Sequence, residues 1–184
     1  MQGQTWSEFI IPYDGRRMRI GGCAITLAGN IAYTRNNATT VTPGTIVGNA
    51  ANFDTRGNGM LWTVALNGTG VSYEARRDVD NGAEFQTAFN QYNASTTEYF
   101  IGIKVDYDGD PNHEHWVGAT AIEPLDDGNL YVRISRTSTN DNATWQGTLR
   151  GDRGWRTDND GNIYVPLNRV QGYVVYSRTD TINE

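Results

Sequence analysis

Cysteine is almost missing from this chain: Cys23 is the only one in 184 residues, so no internal disulfide can form. With just two histidines, His113 and His115, no Cys/His spacing matches a structural zinc site, and no cofactor is expected. Long apolar runs are lacking too. No stretch approaches the ~20 residues of a membrane-spanning helix, so no membrane partner is expected. The opening "MQGQTWSEFIIPYDGRRMRI" has none of the basic-then-apolar layout of a signal peptide. Positive charge is in deficit, 15 Lys and Arg against 21 Asp and Glu, for a net charge of −6. A phosphate backbone would be held against that field, which argues against nucleic acid as a partner.

What the chain has is turn chemistry. Twenty-one glycines and many Asn, Asp and Thr suit a protein with many strand ends and loops. The length fits one domain, residues 1–184, able to bury a core without staples.

The first third reads as helical. After Cys23, the residues Ala24, Ile25, Leu27, Ala28, Ile31, Ala32 and Tyr33 cover nearly every side of a helix, which implies burial all round. Thr42 then offers an N-cap with Pro43 at the first helical position, and Ile46, Val47, Ala50 and Ala51 supply an inner face. "GNGMLWTVALNGTG" reads as another short helix, and residues 80–92 repeat the pattern with Phe85, Ala88, Phe89 and Tyr92. From Glu98 the period becomes two, through Tyr99, Ile101, Ile103 and Val105, and "HWVGATAI" continues it. "LDDGNLYVRI" and "DNDGNIYVPL" each set Asp-Gly before an alternating strand, and "VQGYVVYS" closes the set. Helices first and an antiparallel sheet second predict an α+β domain.

Cys23 has two readings. It is either a small buried hydrophobe or a thiolate favoured by the N–H groups and dipole of a helix start, with Gly21 and Gly22 allowing a substrate to approach the backbone closely. A thiol nucleophile needs a base, and His113 and His115 point to opposite faces if both lie in the strand. His115, at the start of the alternation, is the better placed of the two.

These residues resemble the bacteriocin-processing (double-glycine leader) type of cysteine peptidase, a branch of the papain-like superfamily, over most of the chain. "IGGCAIT" is similar to the Gly-Cys-x-x-Thr opening of that family's central helix, "VTPGTIVGNAANF" with "NGMLW" to its next two helices, "HEHWVGATAI" to its His-aromatic-Val strand, and "RVQGYVVYSR" to its closing strand. The resemblance implies Cys23 as nucleophile, His115 as base, and Gln2, with Gln4 as alternate, as oxyanion donor. Gly22 and Trp116 would border the substrate. The family's third member, an Asp or Asn in the strand after the His strand, is not matched: the sequence reads "LYVRISRTSTND", with Ser135 and Arg136 near that position. Ser135, Asn140 or Asp141 could substitute.

The implied activity is cleavage of a peptide or amide bond. The Asn/Thr-rich style resembles stand-alone, signal-less relatives from bacteriophages. That implies cell-wall (peptidoglycan) peptides or other virion proteins as substrates and partners, and a place in the virion, or in the cytoplasm if the chain is not phage-encoded. The alternative expectation is a catalytically degenerate papain-like domain kept for virion structure or assembly.

Other features have plainer readings. Asp106, Asp108 and Asp110, with Asn112, alternate as calcium ligands can, yet glycine falls at the fourth position and no Glu at the twelfth, so turn chemistry favours an acidic connection between strands. Sequons at Asn37, Asn67, Asn93 and Asn142 fit Asn/Thr-rich loops. Arg150, Arg153 and Arg156 read as a solvated basic loop.

Overall fold

The computed structural model describes residues 8–16, 22–36, 41–57, 59–106, 114–135 and 154–179. It has an α+β architecture and divides into two compact units, Met1–Tyr73 with Ser177–Glu184, and Glu74–Tyr176.

In the first unit, helix α1 (Cys23–Asn36) buries Ile25, Leu27, Ala28, Ile31 and Ala32, but Ala24 is half-buried and Tyr33 is 41 % exposed, so the burial expected all round does not extend to those two. It packs against α2 (Pro43–Gly48) so closely that a Cβ on Gly29 would lie 2.8 Å from Pro43 Cδ. Thr42 caps α2 reciprocally: Thr45 N–H donates to Thr42 Oγ1 (3.2 Å) and Thr42 N–H donates to Thr45 Oγ1 (2.8 Å). The inner face differs from the sequence reading. Ile46 and Val47 are buried, but α2 stops at Gly48, and the 3-10 turn Ala50–Asn52 exposes Ala50 and Ala51 and buries Asn52, whose Nδ2 donates to Ile46 O (3.1 Å). The helix expected around Met60 to Ala65 is a series of turns instead. Val64 N–H to Leu61 O (3.1 Å) and Asn67 N–H to Val64 O (3.0 Å) span three residues and Ala65 N–H to Leu61 O (3.0 Å) four, so single turns form but no α-helical ladder propagates before Gly68 and Gly70, at φ 77° and 81°.

A seven-stranded sheet has the order β1-β7-β2-β3-β4-β6-β5, from β1 (Val71–Asp78), β2 (Tyr99–Asp106), β3 (Glu114–Pro124), β4 (Leu130–Ser135), β5 (Arg156–Thr157), β6 (Ile163–Pro166) and β7 (Val170–Arg178). The pairings from β2 across to β5 are antiparallel. The β3–β4 and β5–β6 connections are the two Asp-Gly turns read from the sequence, with Gly128 and Gly161 at φ 74° and 78°.

Helix α3 (Gly82–Asn93) lies between β1 and β2 in the chain, capped by Asn81 Oδ1 accepting from Glu84 N–H (3.2 Å). Its Phe85 and Phe89 join Ile103, Val105, Val117, Val132, Val165, Tyr173 and Val175 in one core. Phe85 is completely buried between Phe89 and Tyr173, at ring separations of 5.6 and 5.9 Å. Among the described residues no helix is long and apolar enough to cross a membrane.

Candidate functional site

Cys23 is the first residue of α1. The helix's first bond runs from Thr26 N–H to Gly22 O (2.8 Å), which makes the buried Gly22 the cap and leaves the N–H groups of Cys23, Ala24 and Ile25 without intrahelical acceptors. The first turn carries no acidic side chain, and Cys23, like Ala24, is partly exposed, whereas Ile25, Leu27 and Ala28 are buried. A positive helix end and a reachable sulfur are what a thiolate needs.

Within the same unit, a loop holds Arg16. It closes through Ile11 N–H to Arg16 O (2.9 Å) and Gly15 N–H to Ile11 O (3.1 Å), and turns through Tyr13 and Gly15 at φ 62° and 76°. Arg16 donates twice to Asp14, Nε to Oδ1 at 2.6 Å and Nη2 to Oδ2 at 2.7 Å. This pair holds the Asp14 carboxyl below its usual range and raises the guanidinium, and a negative charge at Cys23 would add a smaller rise. Sequence reasoning passed over Arg16; the Asp-Gly-Arg turn ahead of the glycines was the available signal.

In the second unit, His115 stands near the start of β3, opposite Val105 and on the same strand face as Val117. It is 7 % exposed among these apolar neighbours, and burial pushes its pKa down to about 3. The imidazole is therefore neutral through the physiological range. Trp116 points to the opposite face, 5 % exposed, with the Arg76 guanidinium 5.6 Å from its ring centroid.

Ser135 ends β4 opposite Gly118, its Oγ 3.5 Å from the Gly118 carbonyl. Gln2, Gln4, Asp108, Asp110, Asn112, His113, Arg136, Asn140, Asp141, Arg150 and Arg153 lie outside the described residues, and Asp106 is described only as the last residue of β2. Among the described residues no three His, Cys, Asp or Glu side chains cluster as metal ligands do.

No protein-family model, no curated protein and no solved structure matches the chain.

Proposed function

We propose that the chain is a papain-like cysteine peptidase or amidase with Cys23 as nucleophile and His115 as proton carrier. The observation that supports this reading is the position of Cys23 as the first residue of a 14-residue helix, partly exposed.

In the proposed cycle, Sγ attacks the carbonyl carbon and the thiol proton passes to the neutral imidazole. The tetrahedral oxyanion rests on the Cys23 N–H and the Gln2 amide. The C–N bond breaks as His115 returns the proton to the leaving amine, forming a thioester, and water then releases the acid and restores the thiol. A peptide is the substrate class, with phage-associated cleavage of cell-wall peptides or virion proteins as the setting.

The test is the pH dependence of iodoacetamide alkylation in the native protein and in His115→Ala, beside a cell-wall zymogram with Cys23→Ser. Fast alkylation with an apparent pKa well below ~8.5, peptide turnover lost in His115→Ala, and clearing lost in Cys23→Ser, support the reading. Alkylation only on unfolding sinks it.

A second reading, a degenerate papain-like domain kept for virion structure or assembly, is favoured by one observation. Burial holds His115 neutral, whereas a thiolate–imidazolium pair requires a raised histidine.

A further inference from the structure

We propose that Asn67-Gly68, in the first unit, is a self-modification site, where the Asn67 carboxamide closes to a cyclic imide and opens to aspartate or isoaspartate with water as co-reactant. The proposal is independent of the thiol chemistry.

Asn-Gly pairs occur at 58, 67 and 81 in the sequence, and Asn58 lies outside the described residues. Glycine favours the reaction because no Cβ shields the backbone nitrogen that must attack the side chain. The two described pairs stand in opposite settings.

At 67 the reacting groups are unheld. Asn67 and Gly68 are exposed, and a Cβ on Gly68 would meet nothing within 4 Å. Among the described residues, the Asn67 side chain, the Asn67 carbonyl and the Gly68 N–H have no hydrogen-bond partner. The peptide joining the two residues is the middle one of the turn 66–69, which is closed on Leu66 O by Thr69 N–H (3.1 Å) and Thr69 Oγ1 (2.7 Å). That middle peptide can swing with both closing bonds in place, and Gly68, at φ 77°, accepts either sign of φ as it turns. The swing carries the Gly68 nitrogen onto Asn67 Cγ.

Asn81 has the same neighbour and none of this freedom. Its Oδ1 accepts from Glu84 N–H (3.2 Å) and its Nδ2 donates to Glu84 Oε1 (3.1 Å). Gly82 is buried so closely that a Cβ there would lie 2.5 Å from Leu167 O. Cyclisation would break the cap of α3 and pull Gly82 away from Leu167.

The reaction is a substitution followed by hydrolysis, with no change of oxidation state. The Gly68 nitrogen loses its proton to solvent and bonds to Cγ, the Cγ–Nδ2 bond breaks, and ammonia leaves carrying a solvent proton. Water then adds to one imide carbonyl. Breaking the new Cγ–N bond gives aspartate at 67; breaking the original peptide bond leaves isoaspartate, with the chain running through Cβ and Cγ. The isoaspartyl link adds one methylene to the backbone inside a turn that holds the buried Thr69 just ahead of β1.

The test is incubation of the folded full chain in heavy-oxygen water at mildly alkaline pH, with tandem mass spectrometry reading residues 58, 67 and 81 separately. Residue 67 should take up heavy oxygen about tenfold faster than residue 81, where the cap and the packing of Gly82 must first be lost. In urea the two rates should converge, since the unfolded chain offers the same chemistry at both. Methyl acceptance from an isoaspartyl methyltransferase should grow at 67 on the same time course, and Asn67→Gln should remove it, because the larger imide ring closes far more slowly. Equal rates at 67 and 81 in the folded chain, or an amide at 67 that persists in the fold and reacts only in urea, overturns the proposal.

Discussion

His115 makes the stability of this protein depend on pH in a direction that can be worked out in advance. The unfolded imidazole titrates near 6.5, and burial lowers the folded value to about 3. Between those values the unfolded chain binds the proton and the folded chain does not, so stability is complete above pH 6.5 and falls as the pH drops toward 3. The full shift corresponds to about 5 kcal/mol, and about 2 kcal/mol of it is lost by about pH 5. That upper part of the window is the clean one. Asp14, Asp78, Asp127 and Asp158 are also held below the usual carboxylate range, chiefly by side-chain bonds to Arg16, Lys104, Tyr131 and Asn162, and they destabilise the fold in the same sense further down.

The assay is urea unfolding of the native chain and of His115→Gln at several values from about pH 7.5 to about pH 5, where the native chain should lose about 2 kcal/mol more than the variant. His113 is common to both and cancels. Equal pH dependence in the two proteins would refute the buried neutral imidazole. A native chain stabilised by acid relative to the variant would go further, since only a raised histidine, as in a thiolate–imidazolium pair, gives that sign.

Other substitutions test the packing that positions the candidate groups. Gly29→Ala should destabilise by about 1–3 kcal/mol in chemical unfolding despite alanine's better helix propensity, because the new methyl meets the Pro43 ring. Phe85→Ala should cost about 3–5 kcal/mol by calorimetry or urea, since the ring is fully buried against Phe89 and Tyr173. Thr42→Ala should cost about 1 kcal/mol through loss of the reciprocal cap on α2.

The parts legible in the sequence were those whose signal is local. The continuous apolar surface after Cys23, the four-residue steps from Phe85 to Tyr92, and the two Asp-Gly turns each need only a short window, and α1, α3 and the hairpins follow them. β1 was open to the same reasoning: Val71, Tyr73 and Ala75 alternate with Ser72, Glu74 and Arg76, but the run sits between helical patterns and was passed over. The turns from Trp62 to Gly70 mislead for a different reason. Apolar spacing there mimics a helix, while two glycines at positive φ set the backbone. For the candidate site, the sequence offered Cys23 at a helix start; the Arg16–Asp14 clamp, two residues apart in a turn closed between Ile11 and Arg16, was equally local, its signal the Asp-Gly-Arg run.

A neutral His115 changes what should activate Cys23. On the proposed reading, an imidazole uncharged at rest would draw the thiol proton only as attack proceeds, and any resting thiolate would depend on the helix end and Arg16 instead. Arg16 has a side chain 55 % exposed, so its share is screened by solvent; Arg16→Gln should slow alkylation about two- to threefold at neutral pH. On that reading, peptide turnover should fall far more in His115→Ala than in Arg16→Gln, because one change removes the proposed proton carrier and the other only trims the thiolate population. Equal loss of alkylation and turnover in both variants would mean that the histidine acts as a second fixed charge, and the neutral-base account would be wrong.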